Sequence, residues 1–267
     1  MLRFFRAEGA SESSSSQLVL RHAGETIVVA LRRSRAARRY TLRVRFAARD
    51  AVLTMPQRGS LRDARAFAER HAAWIATRLG RLPEAIPFAP GAVAPLRGVE
   101  HLLTHRPEAR GVVWSEPLAA SGACLARCEG PDFALCVTGS VEHMHRRVSD
   151  FLKREARRDL EAAVARHTEG LGLPARGVGL RDPVSRWGSC SATGSLNFSW
   201  RLIMAPPFVL DYLAAHEVAH LVHLDHSPRF WALTRSLSSE VDRAEAWLTR
   251  QGAQLHKYGA NPAKLAS

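Results

Sequence analysis

Apolar and polar residues alternate in short runs through residues 17–56. The runs Leu18–Leu20, Thr26–Arg33, Tyr40–Phe46 and Ala51–Met55 are each bounded by turn residues, which predicts four β-strands. From Leu61 to Leu82 the apolar spacing lengthens, and Ala66, Phe67, Trp74, Ile75 and Leu79 predict one amphipathic helix. Proline and glycine crowd 83–98 and mark a connector, after which short strands are expected near 100–105, 111–115 and 132–138. Val141 to Gly170 reads as a long helix that buries Met144, Val148, Phe151, Leu152, Ala156, Leu160 and Val164. Residues 178–199 return to β character. Three helices close the chain: one opened by Pro206-Pro207 and running to Leu221, one over Pro228–Leu237, and one over Ser239–Gln251. The sum is an α+β fold: a disordered tail at 1–16, a β-rich N-terminal lobe with one helix at 17–140, a second region at 141–257 and a tail at 258–267.

The first of those closing helices carries chemistry. His-Glu-Val-Ala-His occupies residues 216–220, with a further histidine, His226, after five residues. Residues advance about 100° on a helix, so His216 and His220 share one face. Two imidazoles so placed can grip one zinc ion, with Glu217 beside a bound water. Zinc lowers the pKa of that water from about 15.7 toward 7, and the carboxylate takes its proton as general base. In a chain of this composition an H-E-x-x-H motif arises by chance roughly 3% of the time, and with the added histidine roughly 0.1%. Leu210, Leu213, Ala214 and Leu221 place this helix inside the fold, where imidazoles and a carboxylate need partners.

The spacing leaves two candidates for a third ligand. His223 follows His220 on the same helical face. His226 reaches the ion only if the helix stops between 221 and 226. Leu-Asp-His-Ser-Pro at 224–228 supplies a stop and a restart, with Ser227 as cap and Pro228 at the first helical position. The metzincin pattern has a glycine in that turn, at the position held here by His223. Histidine is among the few other residues that tolerate positive φ.

Composition narrows the class. At 267 residues with 46% hydrophobic and 24% charged, the chain has enough apolar content for a packed core. No apolar run reaches the 18 or so residues needed to span a bilayer, and the start lacks the apolar stretch of a signal peptide. Cys124, Cys128, Cys136 and Cys190 lack paired C-x-x-C spacing and read as reduced thiols, so a cytoplasmic protein is expected. The net charge of +13 is almost all arginine, densest from Arg32 to Arg49. That stretch reads either as solvated strand faces or as a weak, non-specific nucleic-acid footprint.

Residues 216–231, Ser-Arg-Trp-Gly-Ser-Cys-Ser at 185–191 and Leu-Asn-Phe-Ser-Trp-Arg-Leu-Ile-Met-Ala-Pro at 196–206 together resemble the YgjP-like metallopeptidase family. The likeness runs over roughly residues 17–257. It implies a zincin-like catalytic region, related in plan to SprT-type proteases, with one zinc ion on His216, His220 and His226 and Glu217 as base. A peptide or protein is then the expected substrate. Strands just before the metal helix lie beside the site in zincins and can accept an extended peptide, so Arg186, Ser189 and Asn197, with His223, are candidate substrate-binding residues. The resemblance also brings two alternatives: a metal-dependent nucleoside triphosphate (UTP-type) pyrophosphatase, and a DNA-associated protease module. No glycine-rich phosphate loop and no nucleic-acid reading motif accompanies them.

Overall fold

The computed structural model describes residues 17–45, 50–80, 85–121, 130–183 and 186–259. The two expected tails, except for Tyr258 and Gly259, fall outside those residues, as do Cys124, Cys128, Arg49 and Ser185. The fold is α+β and divides into two compact units, Met1–Leu82 and Pro83–Ser267.

In the first unit, period-2 patterning builds β1 (Gln17–His22), β2 (Glu25–Ser34), β3 (Thr41–Arg45) and β4 (Asp50–Pro56), in sheet order β1-β2-β4-β3. Ala23 and Gly24, at φ 50° and 83°, turn β1 into β2 as a two-residue hairpin requires. β2 and β4 run parallel. Leu18, Leu20, Ile27, Val29, Leu31, Leu53 and Met55 project to one face and meet Ala64, Ala68, Ala72 and Ile75 of α1 (Leu61–Arg70) and α2 (Ala72–Gly80). The single helix expected here is broken at His71, whose backbone leaves the helical region and whose ring Nδ1 lies 2.9 Å from the Phe67 carbonyl. The break shifts the phase of the second helix relative to the first. Trp74, expected in the core, is 41% exposed under the Arg78 guanidinium, and Ala66 also points to solvent.

The second unit begins with β5 (Val93–Leu96), β6 (Val99–His105), β7 (Val113–Pro117) and β8 (Phe133–Val137), in order β5-β6-β8-β7. β5 lies in the stretch that proline and glycine mark as a connector. As an edge strand it accommodates Pro95 without a missing ladder donor. The helix α3 (Met144–Glu169) buries all seven positions expected of it. A second sheet comes next: β9 (Gly177–Arg181), β10 (Gly188–Cys190) and β11 (Ser195–Ser199), in order β10-β11-β9. Then come α4 (Pro207–Ala219), α5 (Pro228–Leu237) and α6 (Val241–Gln251). Leu96, Leu103, Leu135 and Val137 share one core with α3, β11 and α4. The unit boundary therefore falls at 82/83 and not at the 140 read from the sequence, because the 93–137 sheet has its apolar partner in α3.

Two arginines lock this unit. Arg97, in a left-handed turn at φ 53°, donates its backbone N–H to Ile203 and its guanidinium to Asp159 and Glu155. Arg201, 2% exposed, forks onto Asp182 and also reaches the carbonyls of Leu255 and Tyr258, so the chain after α6 is tied through it to Asp182. Cys136 and Cys190 are both free thiols. Among the described residues no helix is long and apolar enough to cross a membrane.

Candidate metal centre

α4 is apolar nearly all round. Val209, Leu210, Leu213, Ala214, Ala215, Val218 and Ala219 are all buried, the mark of a helix inside its unit and not on its surface. His216 and Glu217 thus sit in an apolar surround. The α-helix ends at Ala219, and His220 caps it with its N–H directed at the His216 carbonyl, 3.3 Å away. A backbone bond from His223 N–H to Ala219 O closes the turn. Asp225 accepts from the Ser227 N–H, and Ser227 Oγ accepts from Phe230 N–H, with Pro228 opening α5. The stop and restart bring His226 back over the end of α4.

The ligating atoms of His216, His220 and His226 all lie within 4.8 Å of one another. His226 Nε2 is 3.3 Å from His216 Nε2. Two zinc–nitrogen bonds of about 2.05 Å at a tetrahedral angle span about the same distance. Hydrogen bonds fix how two of the rings present themselves. His220 Nδ1 donates to the His223 carbonyl at 2.9 Å, leaving Nε2 as its free lone pair. Tyr212 donates its hydroxyl hydrogen to Glu245 at 2.9 Å, so at 3.4 Å from His216 Nδ1 its oxygen can only accept. His216 Nε2 is left bare as well. Burial, reinforced by the neighbouring imidazoles, lowers His216 to about 4, and burial also lowers His220. Both are neutral near pH 7, the form that binds a metal. Phe230, fully buried, stacks on His220 at 4.4 Å between ring centroids and backs the site.

Glu217 is 4% exposed, and its Oε2 is buried without a hydrogen-bond partner. Burial raises its carboxyl to about 7, against a smaller opposing pull from Arg186. Its neighbour across the site is Gly188 on β10. A Cβ there would lie 2.3 Å from Glu217 Oε1, so only glycine lets the strand lie against this carboxylate. Arg186, Gly188, Tyr212, His216, Glu217 and Glu245 line a cavity of about 450 Å³.

The four candidate substrate-binding residues separate. Arg186 borders the Glu217 cavity. Ser189 and Asn197, paired across β10 and β11, border a neighbouring cavity of about 420 Å³ with Arg181 and Asp182, to which Arg186 also belongs. Successive strand residues alternate faces, and Gly188 takes the one toward Glu217. His223 contributes its carbonyl to His220, and its imidazole is not in the histidine cluster. It also lacks the positive φ a glycine-like turn would need, because the turn is closed by the backbone bond to Ala219. Of the two acids on α6, Asp242 is paired with Arg235 and Glu245 reaches His216 through Tyr212. Sequence reasoning misses Tyr212. The signal available for it is its place one turn before His216 on the same helical face.

A sequence model of the YgjP-like family, described as "YgjP-like, metallopeptidase domain", matches residues 38–251. No curated protein matches the chain. Among solved structures, the metallopeptidase zymogen of Pyrococcus abyssi abylysin aligns at 18% identity and a TM-score of 0.32, covering 35% of this chain and 95% of that one.

Proposed function

This chain belongs to the YgjP-like metallopeptidase family, and we propose that it hydrolyses peptide bonds with one zinc ion held by His216, His220 and His226 and with Glu217 as general base. One observation carries the reading: three imidazoles converge beside a buried carboxylate with an unpartnered oxygen. When bound, zinc supplies Lewis acidity and a nucleophile from water at neutral pH. The remaining work falls to the chain. Glu217, whose carboxyl burial raises above the ordinary carboxylate range, accepts a proton and releases it to the departing amine. The outer edge of β10, which no strand pairs among the described residues, receives the substrate backbone as an added strand, with Gly188 allowing close approach. Arg186, at the rim, holds the substrate carbonyl oxygen. Ser189 and Asn197 bound the adjoining cavity, where residues beyond the scissile bond are read, and His223 acts through its backbone.

The test is cleavage of an unstructured peptide by the full chain, lost with a chelator and restored by stoichiometric zinc, with a nucleoside triphosphate assayed in parallel. Pyrophosphate release without peptide cleavage would move the reaction to phosphorus and overturn the reading.

In the same reading Glu245 and Tyr212 are positioning residues. The carboxylate takes the phenolic hydrogen, the phenol oxygen takes the His216 Nδ1 hydrogen, and Nε2 stays open to the ion. Tyr212→Phe is expected to weaken zinc binding about 10- to 100-fold, measured by competition with a chelating dye. Glu245→Gln, which keeps an acceptor oxygen, should weaken it less. Unchanged affinity in both variants would remove the pair from this role.

A further inference from the structure

The charge of this protein is segregated. Residues 17–80 contain 14 arginines and no lysine against four acids, Glu25, Asp50, Asp63 and Glu69; residues 83–267 contain 21 basic and 19 acidic side chains. The second unit pairs its cations, as in Arg97–Asp159, Arg166–Asp211, Arg201–Asp182 and Arg235–Asp242. In the first unit, among the described residues, the ion pair is Arg65–Glu69, at 4.0 Å and exposed.

Topology sharpens the segregation. Because β2 and β4 are parallel and β3 is antiparallel to β4, the ends of β2 and β4 and the start of β3 lie at one end of the sheet. Arg32 is on the last part of β2, Arg35, Arg38 and Arg39 are in the β2–β3 connection, and Arg58 is in the turn after β4. All five are exposed, and none forms an ion pair among the described residues. Arg33 differs from them, because its guanidinium donates to the Gln57 and Gly59 carbonyls and tethers the Arg58 turn to β2. Glu25 and Asp50 begin β2 and β4, so they lie at the opposite end. Asp63, in the first turn of α1, is the acid at the arginine end, where the positive pole of that helix also points.

We propose that this end of the first sheet binds the phosphate backbone of nucleic acid. Five exposed guanidinium groups gathered at one end of a sheet, without an ion pair among the described residues, repel one another, a cost that a polyanion removes. Arginine's planar fork takes two phosphate oxygens at once, which an ammonium cannot. A membrane surface fits less well, since Leu61 is the large apolar side chain exposed at this end and a stable anchor needs a broader apolar face. No aromatic side chain among the described residues is exposed at this end to stack on bases: Tyr40 is half-buried and its hydroxyl donates to the Ser60 carbonyl. The surface therefore grips backbone without reading sequence.

The test is fluorescence anisotropy of a labelled 20-base-pair duplex with the full chain between 50 and 200 mM salt. The expected slope of log affinity against log salt is about −3 to −5. Arg35, Arg38 and Arg39 replaced together by Ser should cut the slope by about 2 to 3 and the affinity at 100 mM at least about ten-fold. Arg154, Arg176 and Arg250 of the second unit, exposed and changed together to Ser, remove equal charge and should alter affinity less than about two-fold. Should the loop triple misfold by circular dichroism, Arg→Lys at the same positions keeps the charge, and it should keep the slope while losing affinity. Absence of binding at 50 mM salt, equal losses in both Ser triples, a lost slope in a folded Lys triple, or binding to phosphatidylserine vesicles without binding to duplex would each overturn the proposal.

Discussion

Glu217→Gln is expected to lower peptide hydrolysis by about 10²- to 10⁴-fold while metal content per chain stays unchanged. Gln matches Glu in volume, so it should fill the same 4%-exposed space beside Gly188 and leave α4, with His216 in its last turn and His220 at its cap, in place. What it lacks is a basic oxygen. Burial raises the native carboxyl to about 7, and its Oε2 has no hydrogen-bond partner among the described residues. The measurements are metal per chain by elemental analysis and the rate of peptide cleavage, wild type beside variant. Retained turnover would remove Glu217 from the chemistry. Lost metal would make it a structural support of the site instead of its base.

Much of this site is local, and local features are legible in a sequence. Two histidines one turn apart share a helical face whatever surrounds them, and Ser227-Pro228 starts a helix by cap chemistry that depends on three or four residues. The long helix over 144–169 is legible for the same reason, since its apolar period runs for seven turns without a break. The features that stay hidden depend on distant partners. The 93–96 strand carries a proline and reads as a connector until its neighbour β6 is known. The 61–82 helix breaks at His71, where no glycine or proline announces a stop. Ser189 and Asn197 are instructive in another way. Once Gly188 faces the carboxylate, alternation sends its neighbour Ser189 to the other face of the strand, so the rule that predicts the strand also separates these residues from Glu217. Tyr212 escapes notice because a tyrosine on an apolar helix is usually packing; its partner Glu245, 33 residues away, gives its hydroxyl a direction.

The third ligand separates two readings that spacing alone leaves open, and His226→Ala against His223→Ala decides between them. His226→Ala should weaken zinc binding more than the 10- to 100-fold typical of an outer hydrogen-bond partner, and peptide cleavage should fall with it at substoichiometric zinc. The reason is geometric. His226 Nε2 stands 3.3 Å from His216 Nε2, within the 4.8 Å cluster, whereas His223 meets the site through its backbone carbonyl, which accepts the His220 Nδ1 hydrogen. Alanine at 223 retains that carbonyl, so His223→Ala should hold zinc within a few-fold of wild type. The exposed position of His226 makes the comparison clean: it packs edge-on against Phe230 and contributes little buried surface, so its loss removes a nitrogen donor with little of the core. Equal zinc affinities for His226→Ala and wild type, measured by dye competition, would leave two helix imidazoles alone, too few for the three protein ligands a catalytic zinc takes. Unchanged unfolding midpoints in both variants would tie any difference to the metal and not to the fold.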